Sequence, residues 1–400
     1  MRIMMITPSF YPVSGGVQRI VGDLSAGLQR RGHDICVVTS RYPRTLPSRD
    51  TYHGIPVTRY LFLKPGIGYL RPFRPDLFLA SLFWYPYTSR ALIQLLRSFQ
   101  PQIIHVHSPH TQVPFINRIL RSGGLTCIVS THGYDIERFF RQNNTGAGMP
   151  GNTGKPDNPV RSLFANADKV TANSDDLLNK IHALGLAAGD RTVRVYNGVD
   201  CRIFEQADAY AGSRPYIFSF GRLTHIKGFD LLILAFSHIM NEFPDTDLWI
   251  AGSGEQEMTL KVLCRHLGTD NRIRFIGEIT HEEVARYLKG ALFVVIPSRE
   301  ESFGLAAVEA MAAGKMVLGT DTGGLGEILK KAGVNTVAPE VEALAGGLRE
   351  YLNHDPHSYT DYRTILSEFS IDTYLDRIES VYREAVNKHP LPEAGNAPRS

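Results

Sequence analysis

The sequence predicts a parallel α/β protein built from two doubly wound domains. Short β-rich runs alternate with helical patterns along the chain, which is how strands joined by crossover helices read. Those runs are nearly continuous in apolar residues, as expected of strands covered on both faces. At 400 residues the chain is long for one core and comfortable for two.

Candidate strands in the first half are Ile3–Thr7, Ile35–Thr39, Val57–Phe62, Ile103–His107, Cys127–Thr131, Lys169–Ala172 and Val193–Tyr196. In the second half they are Tyr216–Phe220, Leu248–Ala251, Ile273–Ile276, Phe293–Ile296, Met316–Gly319 and Asn335–Val337. Val17, Val21, Leu24 and Leu28 mark the buried face of the first helix. Asn197-Gly198-Val199-Asp200 closes the first series, and the polar stretch Cys201 to Pro215 reads as a linker. The expected domains are 1–200 and 201–370. A last helix spans Ile371 to Asn387, with Tyr374, Leu375, Ile378, Val381 and Tyr382 at helical spacing. The Pro-rich tail from Lys388 is expected to be disordered. Gln142 to Asn158, rich in Gly, Asn and Pro, reads as a long loop, either an insertion or a lid.

Composition narrows the class. An apolar fraction of 43% and a charged fraction of 21% describe a globular protein. A net charge of +3 provides no general drive toward nucleic acid. Cys36, Cys127, Cys201 and Cys264 are far apart and form no C-x-x-C pair, which favours reduced thiols and a cytoplasmic setting. Met1–Ile6 is followed at once by Pro8 and Pro12, so it reads as a strand and not as a signal peptide. No apolar run reaches the ~20 residues needed to span a bilayer.

The chemistry is concentrated at strand ends. Glu301-Ser302-Phe303-Gly304-Leu305 follows the run Leu292 to Ile296, and Glu309 lies on the helix after it. The start of that helix offers unpaired N–H groups to phosphate. Gly304 permits close backbone approach, and the two carboxylates can accept hydrogen bonds from sugar and ribose hydroxyls. The bland alternative is an amphipathic helix with a stray acid near each end.

Gly221-Arg222-Leu223 and Lys227-Gly228-Phe229-Asp230 close the first strand of the second domain. A guanidinium and an ammonium five residues apart suit a diphosphate, and stabilise a leaving group as its charge develops. Gly15-Gly16 joins the first strand to a helix, an anion-friendly arrangement, although no G-x-G-x-x-G is present. His105 and His107 share one strand face, and His132 ends another strand in Thr131-His132-Gly133-Tyr134-Asp135. Asp135 reads as a helix cap or an acceptor contact. Gly252-Ser253-Gly254 and Asp321-Thr322-Gly323-Gly324-Leu325-Gly326-Glu327 are tight turns after strands. Asp245-Thr246-Asp247 matches a metal-binding D-x-D, but it enters its strand from the N-terminal side, away from the other motifs. Arg59 to Phe99 mixes basic and aromatic residues. This mixture suits an anionic membrane surface or a lipid-linked acceptor, with ordinary core packing as the alternative.

Taken together and in this order, these elements resemble the retaining GT-B glycosyltransferases of family 4. The resemblance covers almost the whole chain. It implies two Rossmann-like domains facing across a cleft, with the last helix crossing back to the first. It implies transfer of a hexosyl group from a nucleotide-diphosphate sugar, such as a UDP- or GDP-sugar, to a hydroxyl acceptor with retention of configuration. Arg222 and Lys227 would hold the diphosphate, Glu301 the hexose hydroxyls, and Glu309 the ribose. Phe303, Gly304 and Leu305 would present backbone to the donor, and His132 would orient the donor sugar. Gly15, Gly16, Gly221, Gly252 and Gly254 would shape the phosphate and base sites. Arg31-Gly32-His33 is also typical of the family. Gly326 and Met316 stand where most members have proline.

No covalent nucleophile, cofactor or metal is expected, and the protein is expected in the cytoplasm or peripheral on the inner face of the membrane. The rival readings are a GT-B nucleotide-sugar epimerase and a non-catalytic sugar-nucleotide-binding protein.

Overall fold

The computed structural model describes all residues except 14, 65–74, 122–123, 138–157, 213, 354–361 and 388–400. The expectations for the loop at 142–157 and for the tail therefore lie outside the described residues. The chain divides into two compact units. The first comprises Met1–Ala172, Leu178–Val195 and the chain from Leu375 onward, and the second comprises Asn173–Leu177 and Tyr196–Tyr374.

The first unit is built on a sheet of strands β1 (Arg2–Thr7), β2 (Asp34–Ser40), β3 (Arg49–Tyr52), β4 (Ile55–Tyr60), β5 (Ile103–His107), β6 (Thr126–Thr131), β7 (Lys169–Ala172) and β8 (Thr192–Arg194). Their spatial order is β3-β4-β2-β1-β5-β6-β7-β8. Every pairing is parallel except β3 with β4. The polar edge strand β3 lacks the apolar run that marks the others. Its signal is the turn into β4, where His53 and Gly54 both have positive φ (48° and 81°), as a two-residue hairpin needs. From β1 the chain winds out to β4, then returns to place β5 on the other side of β1. That reversal makes the C-terminal ends of β1 and β5 the switch point of this sheet.

Helices α1 (Gly16–Arg30), α2 (Pro75–Phe99), α3 (Val113–Leu120) and α4 (Pro159–Ala165) belong to this unit. In α1 the buried apolar set is Ile20, Val21, Leu24 and Leu28, and the expected Val17 is only half-buried. Helix α5 (Asp175–Ala183) begins within the stretch assigned to the second unit.

The second unit holds β9 (Tyr216–Phe220), β10 (Asp247–Ala251), β11 (Ile273–Gly277), β12 (Val294–Ile296), β13 (Val317–Thr320) and β14 (Thr336–Val337). Their order is β11-β10-β9-β12-β13-β14 and all pairings are parallel. Here the reversal falls between β9 and β12. Successive strand residues feed opposite cores: Phe218 and Val294 lie in one apolar cluster, Ile217 and Val295 in the other. The sheet is therefore buried on both faces, which explains the unbroken apolar runs.

The stretch read as a linker is a structural correction. Asp200 caps helix α6 (Cys201–Glu205) by accepting from the Arg202 N–H at 3.2 Å, and Phe204 is fully buried. The polar residues of that short helix hide one large apolar anchor. The remaining helices are α7 (Phe229–Ile239), α8 (Glu257–Leu267), α9 (His281–Gly290), α10 (Leu305–Ala312), α11 (Gly323–Lys331), α12 (Val341–Asn353), α13 (Arg363–Glu368) and α14 (Ile371–Asn387).

From Leu375 onward α14 belongs to the first unit, and its attachment there is specific. Leu375 packs where Gly27 has no side chain; a Cβ at Gly27 would lie 2.7 Å from Leu375 Cδ1. Arg31 pairs with Asp376 (2.6 Å) and Glu379 (3.0 Å), and His33 meets Glu379 at 2.8 Å. Arg31-Gly32-His33 thus has a structural use, as the clamp for this helix.

Gly27→Leu should push Leu375 off α1 and lower the melting temperature by several degrees, consistent with an overpacking cost of about 1–3 kcal/mol. Gly189→Ala, where an added Cβ meets nothing within 4 Å, should leave the melting curve unchanged. Equal melting curves for the two variants would refute this account of the helix attachment.

Candidate active site

In the second unit the two strands at the reversal, β9 and β12, lead into the two strongest motifs. After β9 comes Gly221-Arg222-Leu223, then a single turn of 3-10 helix at His225–Lys227. After β12 comes the loop Pro297–Gly304. The two loops are fastened by backbone. Gly228, at φ 67°, sits so close to Pro297 that a Cβ would lie 2.0 Å from its carbonyl oxygen. The Arg299 N–H donates to the Ile226 carbonyl at 2.8 Å. The Arg299 guanidinium grips Asp230 with two bonds of 2.6 and 2.7 Å. Burial raises the Asp230 carboxyl, but Arg299 outweighs it and holds the group below its usual range. Asp230 stood in the Lys227–Asp230 motif without a role of its own, and Arg299, its partner in this brace, was not singled out from the sequence.

This brace brings Lys227 onto Glu301. The Lys227 ammonium donates to Glu301 Oε2, and the Ser298 hydroxyl approaches the same oxygen at 3.4 Å. Both side chains remain partly open to solvent. The Arg222 side chain is exposed and makes no ion pair or hydrogen bond among the described residues.

The Glu301 loop is also held from β13. The Gly324 N–H donates to the Glu301 carbonyl at 2.8 Å. A Cβ at Gly323 would lie 2.5 Å from that same oxygen, and one at Gly324 would lie 2.2 Å from the Ser302 carbonyl. Glu327 accepts from the Tyr196 hydroxyl (2.6 Å) and the Asp175 N–H (2.7 Å). The Gly-Gly turn is therefore a backbone bed for the Glu301 loop.

Gly252 and Gly254 serve the Gly221 loop in the same way. A Cβ at Gly252 would lie 1.9 Å from the Gly221 oxygen, and one at Gly254 would lie 2.4 Å from the Leu223 oxygen. The Leu223 N–H donates to the Ser253 carbonyl at 2.8 Å.

Phe303 is buried between Tyr196 and Phe369, so its ring is core and only its backbone is open to a ligand role. Gly304 caps α10 in the left-handed region (φ 96°, ψ 50°), and half-buried Leu305 is the first helical residue. The Ala307 N–H already donates to the Gly304 carbonyl at 2.9 Å, and the N–H groups before it precede the first intrahelical acceptor. Glu309, one turn further, is only 2% exposed, with His281 Nε2 3.4 Å from its Oε1. His281 opens α9 and packs edge-on against Phe204. Its place beside Glu309 carried no sequence signal.

In the first unit the expected residues gather at the C-terminal ends of three adjacent strands: Gly15-Gly16 after β1, His107 ending β5, and His132 after β6. Gly15 precedes α1 and its carbonyl accepts the Arg19 N–H at 3.0 Å, while Gly16 is exposed. His107 Nδ1 and His132 Nε2 share a hydrogen bond of 3.1 Å, with near-parallel rings. His105 is structural: its ring nitrogens meet the Tyr382 hydroxyl (2.7 Å) and Ser130 Oγ (2.6 Å). Burial pushes His105 down to about 3 and His132 to about 4, and holds His107 well below its ordinary value. All three are therefore neutral at pH 7. Asp135 accepts from the His132 and Gly133 N–H groups at 3.3 and 3.1 Å, as a cap does. Burial nevertheless raises its carboxyl to about 6.

Among the described residues, no three His, Cys, Asp or Glu side chains are grouped to hold a metal ion. Asp247, from the D-x-D match, is the first residue of β10 and is bound by Arg272 at 3.0 Å.

Comparisons with known proteins agree with this geometry. The family description "Glycosyltransferase Family 4" matches residues 14–202 and "Glycosyl transferases group 1" matches residues 203–367. The chain is 30% identical to D-inositol 3-phosphate glycosyltransferase 1 of Catenulispora acidiphila over 297 residues, covering 67% of this chain and 69% of that protein. Sucrose-phosphate synthase from Thermosynechococcus elongatus superposes with a TM-score of 0.77 at 19% identity, covering 97% and 99% of the two chains. Anabaena HepE in complex with UDP-glucose superposes at 0.72 and 19% identity, covering 96% and 100%. The fold is GT-B, and the chain belongs to the group 1, family 4 glycosyltransferases.

The buried histidines set a pH dependence. An unfolded histidine takes up a proton near pH 6.5, whereas these three do so only at much lower pH, so the unfolded state binds more protons between those values. Each histidine thus removes up to about 1.4 kcal/mol of stability per pH unit as pH falls below 6.5. Asp135 works in the opposite direction between pH 6 and 4, offsetting one of the three. Unfolding measured by denaturant at pH 7 and pH 5 should show markedly lower stability at pH 5, and His105→Gln should flatten the difference. A pH-independent midpoint would contradict neutral burial.

Proposed function

We propose that the protein transfers a hexosyl group from a nucleotide-diphosphate sugar to a hydroxyl acceptor with retention of configuration and without a metal ion. The observation that carries this reading is the meeting of Lys227 and Glu301 at the reversal of the second sheet, with exposed Arg222 beside them in sequence. Without donor, the ammonium and carboxylate satisfy one another. A diphosphate would engage Lys227 and Arg222, leaving the Glu301 oxygens to accept hydrogen bonds from sugar hydroxyls. As the glycosidic bond breaks, charge grows on the diphosphate. Two fixed cations then stabilise the transition state more than the ground state and substitute for a divalent ion.

The withdrawn carboxylate of Glu309 suits a pair of ribose hydroxyls, because a hydrogen bond is electrostatically stronger where little water competes. Glu301 is held by Lys227 and Ser298, which fits a hydrogen-bonding role better than covalent attack. The leaving phosphate would then assist deprotonation of the acceptor on the same face. His132 is neutral, which suits hydrogen bonding to a sugar hydroxyl over proton donation. The UDP-glucose complex of HepE supports a nucleotide-sugar donor, and the glycosyltransferase named in Catenulispora supports sugar transfer.

The test is a thermal-shift screen in EDTA with UDP, GDP, ADP and their common sugar conjugates. One nucleotide series should raise the melting temperature, since a ligand at a hundredfold excess over its dissociation constant adds about 2.7 kcal/mol. Arg222→Ala and Lys227→Met should abolish the shift while changing the ligand-free melting curve little, because partly exposed ion pairs contribute only about 0–1 kcal/mol. The active nucleotide sugar with a suitable acceptor should then give an α-linked product. A shift that survives both substitutions would overturn the site, and isomerised donor formed without acceptor would indicate the epimerase.

A further inference from the structure

The first unit carries a second concavity on the surface where α2, α3 and α4 come together. Its volume is about 550 Å³, and it is lined in part by Lys64, Tyr85, Asn117, Arg118, Arg121 and Ser162. Lys64, Arg118 and Arg121 are exposed and have no acidic partner among the described residues, and none of the described residues lining the cavity is an acid. Asn117 is buried in the wall. Its amide N–H donates to the Pro159 carbonyl at 2.7 Å, while its Oδ1 has no partner among the described residues. Three unopposed cations beside amide, hydroxyl and phenol groups make a site for an oxyanion such as a phosphate ester.

The apolar surface beside the cavity identifies the source of that phosphate. Tyr85 stands on α2 and anchors the wall by packing on Phe115 at 4.9 Å. On the same helix Leu79, Leu82, Phe83 and Tyr87 are 49% to 65% exposed, and they recur at helical spacing as one outward face. Leu82 is one turn from Tyr85, so the apolar face begins at the rim of the cavity. The Phe83, Trp84 and Tyr87 rings cluster at 5.3 to 6.3 Å, and exposed Arg90 extends the face with another cation. A soluble phosphate would leave this face in water, whereas a phospholipid would fill both parts. Arg59, counted in sequence among the basic residues of this segment, takes no part: it is buried against Tyr11, Pro47 and Asp50.

We propose that this corner of the first unit docks on an anionic lipid surface, with a headgroup phosphate in the Lys64–Arg118–Arg121 cavity and the α2 face against the acyl region. Attachment is peripheral, since among the described residues no helix is long and apolar enough to cross a membrane. Interfacial helices of this kind combine apolar burial with attraction to anionic headgroups.

The proposal is tested with the full chain by co-sedimentation with vesicles of phosphatidylcholine, with and without phosphatidylglycerol. Binding should require phosphatidylglycerol and weaken in high salt. Arg118→Gln/Arg121→Gln should lower the bound fraction at least about fivefold, the effect of one basic residue near a charged surface. Leu82→Gln/Phe83→Gln should do the same through the apolar face. Both variants should keep the wild-type melting curve and any nucleotide-induced shift, which separates this proposal from the donor-site reading.

Equal binding to both vesicle types, or wild-type binding by both variants, would overturn it. Stabilisation by inorganic phosphate that depends on Arg118 and Arg121, with no vesicle binding, would assign the cavity to a soluble phosphate and equally overturn the docking. A variant with an altered melting curve is replaced by Leu79→Gln or Arg118→Ala, read by the same criteria.

Discussion

The contact between Lys227 and Glu301 is the interaction on which the candidate donor site depends. It joins the loop after β9 to the loop after β12, the two strands where the winding of the second sheet reverses. Neither side chain could be positioned this way by its own loop. The Asp230–Arg299 brace and the bond from Arg299 N–H to Ile226 hold the two loops together, which sets the partners of the ion pair side by side. Because the pair is partly open to water, its energy is small, and its value lies in placement. A cation and an acid held side by side are separately available to a ligand carrying both phosphate and hydroxyl groups.

The second constraint is steric. The glycines around this site contribute chiefly by letting backbone lie against backbone. Gly228 against Pro297, Gly252 against Gly221, and Gly324 against Ser302 each leave no room for a Cβ. This gives a physical account of why glycine-rich turns accompany the charged residues. Gly326 is also confined, because a Cβ there would lie 2.4 Å from Asp321 Oδ1. The first unit shows the same economy at Gly27, where one missing side chain admits Leu375 of α14.

The buried parallel strands were legible because burial on both faces leaves an unbroken apolar run. Tyr216–Phe220 and Ile103–His107 were readable to the residue. Glu301, Arg222 and Lys227 were legible as residue types in loops after strands, and Glu309 on the helix that follows one of them, since those positions are where ligands meet such sheets. What sequence reasoning missed depends on partners distant in the chain. The polar strand β3 depends on pairing with β4 and on the packing of Tyr52 against Phe10 and Tyr11. Helix α6 hides Phe204 in a stretch of linker-like composition. His281 acquires meaning only beside Glu309, and the His107–His132 pair joins two strands that spacing cannot bring together. Arg59 shows that composition alone does not sort such a stretch: it belongs to a basic-aromatic segment read either as membrane-facing or as core packing, and it is buried by three partners.

The central claim is that the residues around Lys227 and Glu301 receive the donor. The most direct measurement is a crystal structure of the protein with the nucleotide sugar that stabilises it. The account predicts phosphate oxygens within hydrogen-bonding distance of Arg222 and Lys227, hexose hydroxyls on Glu301, and ribose hydroxyls on Glu309. A nucleotide bound away from these four residues, or one whose phosphates leave the Lys227–Glu301 contact undisturbed and Arg222 in solvent, would contradict it.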